Sequence, residues 1–145
     1  MDAGDVPMPD IVLRERPQLT DSDLNSLFAA AWPGHAPETF GATLAHCLTY
    51  FGAFRGSNLV GFVKVAWDGG KHAFLLDPTV HPSERRRGLG GALVRAATSA
   101  AAAGGAVWLH VDYEAELAPF YASTGFRPTP AGLIALVGER TYPER

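Results

Sequence analysis

The spacing of apolar residues predicts a strand and then a helix at the start of the chain. The run at 11–16, IVLRER, mixes apolar and charged residues at strand length. Thr20 suits a helix N-cap, and Leu24, Leu27 and Phe28 follow at the three- and four-residue spacing of one helix face. We therefore expect one strand and one amphipathic helix before the first proline-glycine loop.

Three apolar runs of strand length come next, at 48–55, 58–67 and 72–80, after a short helix expected over 38–46. Two short turns, GSN and DGGK, separate the three runs. Because a tight turn joins neighbouring antiparallel strands, these runs predict an antiparallel meander.

The second half of the chain predicts a helical crossover. A long helix is expected over 88–103, ended by the glycine pair at 104–105, and a strand over 106–111 follows it. A helical crossover between two strands of one sheet makes those strands parallel. With a helix over 114–124 and a last strand over 132–137, the order is β-α-α-β-β-β-α-β-α-β. We expect an α/β (α+β) fold, with a single mixed, mostly antiparallel sheet and helices on both faces.

Length supports one domain, because the sequence has 145 residues. We expect residues 1–9, which are acidic and proline-containing, to be a flexible tail, and residues 10–145 to form the domain. The one cysteine, Cys47, excludes an internal disulfide and suits a reducing compartment. The sequence shows no signal-peptide pattern and no run of ~18 apolar residues, so we expect a cytoplasmic protein.

Charge narrows the class of partner. The formal net charge is −3, which argues against nucleic acid and anionic membranes as partners. The positive charge that is present concentrates in one stretch, HPSERRRGLGGALV at 81–94, where three arginines precede Gly88, Gly90 and Gly91. Arg87 stands where a helix of this kind would carry a capping side chain. An anion bound by the free N–H groups would take the place of that cap, so the stretch predicts a phosphate site.

Three phosphate-binding patterns compete for this stretch. A P-loop needs Gly-Lys-Ser/Thr, but Ala92 and Leu93 follow Gly91. The dinucleotide pattern G-x-G-x-x-G also meets Leu93 where its third small residue belongs. The third pattern, R/Q-x-x-G-x-G/A, matches at Arg85, Gly88 and Gly90.

This third pattern resembles the cofactor motif of the GNAT superfamily of acyl-CoA-dependent N-acyltransferases. FYASTGF, at 120–126, is similar to the second signature of that family, and the predicted element order resembles the family order from Ile11 to Val137. The resemblance implies a parallel splay around the strand at 72–80. It also implies an enzyme that transfers an acetyl group from acetyl-CoA to a primary amine by direct attack in a ternary complex. The alternative is a non-catalytic acyl-CoA-binding regulatory module of the same fold.

The resemblance also implies which residues contact the cofactor. The backbone of Val80 would meet the pantetheine amides, with His81 close behind. Asp77-Pro78 gives the strand a local reason to bulge beside it, because proline cannot donate to the ladder. The diphosphate would lie on a loop made of Arg85, Arg86, Arg87, Gly88, Leu89, Gly90 and Gly91.

Two further residues are assigned to proton transfer. Tyr121 occupies the position of the family's usual general acid, which protonates the departing CoA thiolate. Asp77 is the first candidate for the general base, although an Asp-Pro turn explains the same letters. A second candidate for lining the site is the group Trp108, His110 and Asp112, which alternate onto one face of their strand. A capped, half-exposed sheet face explains these three residues equally well.

The amine acceptor is expected beside the first two helices. Trp32, His35 and Glu38, in the loop between those helices, could hold a cationic amine, and a loop packed for structure is the alternative. No metal is expected, because His110 and Asp112 lack a third ligand. Folds of this kind often pair, so a homodimer stands beside the monomer as an expectation.

Overall fold

The structure, a computed structural model, describes residues 10–137. The chain divides into two compact units, Met1–Val111 and Asp112–Arg145. The tail expected at 1–9 lies outside the described residues. The first unit holds, in chain order, β1 Ile11–Glu15, α1 Asp21–Ala31, α2 Gly41–Ala45, β2 Cys47–Arg55, β3 Asn58–Trp67, β4 His72–Val80, a 3-10 turn at Pro82–Glu84, α3 Leu89–Ala103 and β5 Trp108–His110.

The five strands form one sheet in the order β1-β2-β3-β4-β5. Neighbouring strands are antiparallel from β1 to β4, whereas β4 and β5 are parallel. The predicted mixed, mostly antiparallel sheet is confirmed, and α3 supplies the crossover between its two parallel strands.

One face of the sheet is covered by α1 and the segment that leads to α2. Thr20 caps α1 in a capping box with Asp23, which satisfies N–H groups that the helix itself cannot pair. The buried side chains of α1, among them Leu24 and Phe28, pack with Phe40 and with Phe62 of β3. This apolar cluster fixes α1 to the sheet by burial.

The opposite face is covered by α3. Gly61, next to Phe62 in β3, lies so close to α3 that a Cβ there would meet the side chains of Leu89 and Leu93 at 3.2 and 3.0 Å. Successive strand residues point to opposite faces, so helices lie on both faces of the sheet as predicted.

Strand β4 is irregular where the sequence predicts a bulge. Phe62 pairs with Thr79 and Lys64 pairs with Leu76, so Asp77 and Pro78 together face one residue of β3. Asp77 has a φ of +53°, which a regular strand does not contain. Proline cannot donate to the ladder, which explains why the extra residue falls here.

The parallel pairing of β4 with β5 is short. It covers only 72–74 against 108–110. Within the described residues, the part of β4 from Leu75 to Val80 therefore pairs on the β3 side alone. This is the splay that the family resemblance implies.

The second unit contains a 3-10 turn at Ala115–Leu117 and α4 at Ala118–Ser123. Pro119 stands in the first turn of α4, where its missing N–H costs nothing. Gly125 ends this segment with a φ of +106°.

The strand expected over 132–137 is wrong. The described residues form no strand there, and Ile134 and Leu136 are 83 % and 91 % exposed. The prediction rested on an apolar run without alternation. Such a run does not specify a pairing partner, and an unpaired run gains nothing from strand geometry.

Candidate functional site

The start of α3 is an uncapped helix terminus. Gly88 is its N-cap residue, with a φ of +82° and no side-chain hydrogen bond to the helix. Only glycine adopts this left-handed conformation without a steric cost. The first turn therefore presents backbone N–H groups and the positive end of a helix of 15 residues, Leu89–Ala103.

The three arginines before Gly88 have different surroundings. Arg85 donates to the carbonyl of Ala31, at the end of α1, over 3.4 Å. Arg87 lies 3.3 Å from the carboxylate of Glu84. Arg86 has a φ of +63° and makes no side-chain hydrogen bond or ion pair within residues 10–137. Within those residues its guanidinium keeps all of its N–H donors for a ligand, whereas Arg85 and Arg87 each have one contact.

Glu84 connects the loop that carries the three arginines to the sheet, a role that the sequence did not indicate. It is 4 % exposed, and its carboxylate receives two hydrogen bonds from Arg55, of 2.8 and 2.9 Å. Those hydrogen bonds outweigh desolvation and lower the pKa of Glu84. Arg55 ends β2, so this bidentate pair ties the loop to the sheet. The sequence does show an acidic residue directly before three arginines, but Arg55, the partner of Glu84, lies 29 residues away.

We expect Glu84→Gln to lower the melting temperature by a few degrees at pH 7. The folded-state pKa of Glu84 lies below its ordinary value of about 4.5, so its contribution is present above that pH and is lost as the pH falls through the folded value. Thermal unfolding at several pH values measures the effect. The gap between wild type and variant should shrink as the pH falls below about 4.5 and close below the folded-state pKa of Glu84. A gap that is constant with pH would contradict the assignment.

The backbone of Val80 faces the splay. The N–H of His81 donates to the carbonyl of Val60 in β3 over 2.8 Å. Alternate residues of a strand direct their polar groups to opposite sides, so the N–H and C=O of Val80 point away from β3. The His81 side chain accepts from the N–H of Ser83 and caps the 3-10 turn.

Asp77 is ion-paired at the bulge. Its Oδ2 lies 3.0 Å from Nζ of Lys64, and the side chain of Lys64 is only 16 % exposed. The register places Lys64 opposite Leu76, one residue before Asp77. Sequence reasoning singled out Asp77 and missed Lys64, which reads as an ordinary charged residue in a strand.

Tyr121 lies in α4 of the second unit and is 4 % exposed. Its ring stacks on Tyr113 at 4.7 Å and meets Phe126 edge-on at 5.8 Å. The left-handed Gly125 turns the chain so that the N–H of Phe126 donates to the carbonyl of Tyr121. Burial, and secondarily Tyr113, raises the pKa of Tyr121, so the phenol keeps its proton at neutral pH.

The loop between α1 and α2 is held by internal contacts. Trp32 stacks on Phe28 with ring centroids 4.1 Å apart. Nε2 of His35 lies 2.9 Å from Oδ1 of Asn25, within hydrogen-bond distance. The same Oδ1 accepts a hydrogen bond from the N–H of Glu38. The rings of Trp32 and His35 thus take part in core packing, whereas the Glu38 side chain is exposed.

His110, at the end of β5, contacts its neighbours on β4. Its Nε2 is 2.7 Å from Nδ1 of His72, and its ring stacks on Phe74 at 4.7 Å. Trp108, on the same face, is 56 % exposed. No group of three metal-ligating side chains occurs within residues 10–137. In that same range no helix is long and apolar enough to span a membrane.

Comparison with known proteins gives a family match. The model of the acetyltransferase (GNAT) family matches residues 18–126. No curated protein matches the sequence significantly.

Solved structures match over most of the chain. A GNAT-family acetyltransferase from Streptococcus pneumoniae has a TM-score of 0.75 at 26 % identity, covering 89 % of this chain and 99 % of its own. A Deinococcus radiodurans protein described as an acetyltransferase has a TM-score of 0.74 at 23 % identity, with 88 % and 90 % covered. An aminoglycoside N-acetyltransferase, AAC(6')-Iy, solved with CoA, has a TM-score of 0.69 at 20 % identity, with 86 % and 93 % covered.

Proposed function

Because the chain belongs to the acetyltransferase (GNAT) family, whose acyl donor is acetyl-CoA, we propose that it acetylates a primary amine by direct attack in a ternary complex. The observation that carries this proposal is the uncapped start of α3. There, a left-handed Gly88 and Arg86, whose side chain has no polar partner among residues 10–137, adjoin the 3-10 turn that follows β4. Phosphate oxygens suit such a terminus, because they accept hydrogen bonds from its N–H groups and offset the arginine charge.

We assign the diphosphate to the N–H groups of the loop and of the first turn of α3. Gly88, Leu89, Gly90 and Gly91 provide these groups, and Arg86 provides a guanidinium. Arg85 and Arg87 shape the loop through the contacts with Ala31 and Glu84, and they add positive charge. The backbone of Val80, directed into the splay, suits the pantetheine amides, with His81 beside it.

Direct attack is supported by the state of the only cysteine. Cys47 is 7 % exposed, and its thiol donates to the carbonyl of Thr43. Burial raises the pKa of this thiol above its ordinary value, so it is protonated at neutral pH. A protonated, buried thiol is a poor nucleophile, which disfavours an acyl-cysteine intermediate.

The reaction converts an ammonium group and a thioester into an amide and a thiol, and two protons leave the amine. The amine nitrogen bonds to the acetyl carbon, and the C–S bond breaks. We assign Tyr121 as the acid that protonates the thiolate, because it is buried and carries its proton. We assign Asp77 as the base, because it is a carboxylate beside the splay. It takes the two amine protons in turn, of which one passes to solvent and the other restores the proton that Tyr121 gave up.

The side of the sheet covered by α1 and α2 is the proposed approach for the acceptor. Of the residues expected to hold it, Glu38 has an exposed carboxylate, and Trp32 and His35 belong to the packed loop beside it. The single cysteine fits a reducing compartment, which supports a cytoplasmic location. Assembly into a homodimer stays a prediction.

An acceptor screen tests the proposed function. The purified chain is incubated with acetyl-CoA and a panel of amines, amino acids, polyamines and peptides, and release of CoA thiol is followed. We expect turnover with at least one amine and formation of its N-acetyl product. Acetyl-CoA binding without turnover across the panel would indicate the non-catalytic alternative.

A further inference from the structure

A small pocket lies on the α1 and α2 face of the sheet, beside the bulge of β4. Its volume is ≈360 Å³, at the lower end of the range for small-molecule sites. Ala42, Cys47, Ala66 and Leu76 give it an apolar lining. The pocket therefore suits one small apolar group.

The end of α2 forms the rim of this pocket, and two polar atoms of the rim have partners within α2 and β2. His46 and Thr43 line it. Nδ1 of His46 lies 2.7 Å from the carbonyl of Ala42, which makes this nitrogen the donor. The carbonyl of Thr43 accepts from the Cys47 thiol. These two atoms of the rim are thus held by local hydrogen bonds.

One ion pair supplies the charge at this site. Lys64 lines the pocket, and its Nζ lies 3.0 Å from Oδ2 of Asp77, the residue that follows Leu76. Within the described residues no carboxylate lines the pocket itself. An ammonium group has three donors and a carboxylate has about four acceptor sites, so each partner keeps capacity for a ligand.

A positive and a negative group fixed side by side are complementary to a zwitterion. The ammonium and carboxylate of an α-amino acid are held close together on one carbon. They can lie antiparallel to this pair, ammonium on Asp77 and carboxylate on Lys64, so that four charges alternate in sign. A simple amine uses only half of the site. A polyamine brings a second cation towards Lys64, which costs free energy in a partly buried site.

We propose that the acceptor is a free α-amino acid with an apolar side chain, bound by Asp77 and Lys64 with its side chain in the pocket. This inference rests on the proposed function. Asp77 orients the ammonium group and receives its proton, so the amine nitrogen becomes free to bond to the acetyl carbon. Lys64 is a specificity residue, because it recognises the carboxylate and takes no part in bond making.

The test compares substrates that differ only in the carboxylate. Leucine is paired with 3-methylbutylamine and with leucinamide, and phenylalanine with 2-phenylethylamine. We expect kcat/KM to be at least tenfold higher for the amino acid in at least one series. Equal values, or a preference for the amine or amide in both series, would overturn the inference. Because these comparisons use the wild-type protein, they do not depend on how a variant folds.

A second experiment removes the positive charge of Lys64. Lys64→Met should reduce the ratio of amino-acid to amine kcat/KM at least tenfold. Comparing this ratio between proteins cancels the different reactivities of the amines. Lys71→Met is the matched control, because Lys71 lies in the turn before β4 and is exposed. The control should keep the wild-type ratio. An unchanged ratio in a folded Lys64→Met protein would refute the role of Lys64.

The experiments distinguish failure of the amino-acid inference from failure of the acetyltransferase proposal. If peptides or polyamines are acetylated and neither leucine nor phenylalanine is, the amino-acid inference is wrong and the acetyltransferase proposal stands. If no amine in the screen is acetylated, the proposed function fails and the inference fails with it.

Discussion

Tyr121→Phe should lower kcat about 100-fold, within the range of general acid catalysis, and leave the Kd for acetyl-CoA near its wild-type value. Burial raises the pKa of Tyr121 above its ordinary value, which is already higher than the pKa of a thiol, so transfer of the proton to the thiolate is uphill. A turnover of ~10 per second allows a barrier of ~16 kcal/mol, which accommodates that step. Steady-state kinetics and a direct binding measurement separate the two parameters.

The pH profile gives a second check on Tyr121. A raised pKa moves deprotonation to higher pH, so wild-type kcat should not fall on the alkaline side below about pH 10. Tyr113→Phe is the matched control, because it removes the neighbouring hydroxyl and keeps the ring that stacks on Tyr121. Wild-type kcat in Tyr121→Phe, or equal losses in both variants, would show that Tyr121 is not the acid.

Most of the fold could be predicted from local sequence patterns. The strands expected at 48–55, 58–67 and 72–80 are observed within one residue at each end, because alternation and tight turns are local features. The bulge at Asp77-Pro78 follows from a single chemical fact, the missing proline N–H. The missing side-chain cap of α3 was likewise predicted, although the N-cap position falls on Gly88 and not on Arg87.

Pairs that are distant in sequence escaped the prediction. Glu84 meets Arg55 across 29 residues, and Lys64 meets Asp77 from the neighbouring strand. Each of these residues is ordinary in its own segment, and only the folded chain brings the partners together. The same physical reason explains the wrong strand at 132–137, since strand formation depends on a partner that the run itself does not encode.

Gly88→Ala should weaken acetyl-CoA binding about tenfold to a hundredfold. Alanine in the left-handed region costs roughly 1 kcal/mol, and its methyl group would stand at the start of α3, where phosphate must approach the N–H groups. Loss of one charge-assisted hydrogen bond alone, about 1.5–3 kcal/mol, accounts for a change of this size. Isothermal titration with CoA measures the Kd directly.

Strain and ligand contact can be separated with a second glycine. Gly69, in the turn between β3 and β4, has a φ of +81°, against +82° at Gly88, and a Cβ there would meet nothing within 4 Å. Gly69→Ala should therefore lose a similar amount of stability, about 2–5 °C in melting temperature, and keep the wild-type Kd for CoA. If both variants weaken CoA binding equally, general destabilisation explains the effect. If neither does, Gly88 is not part of the diphosphate site.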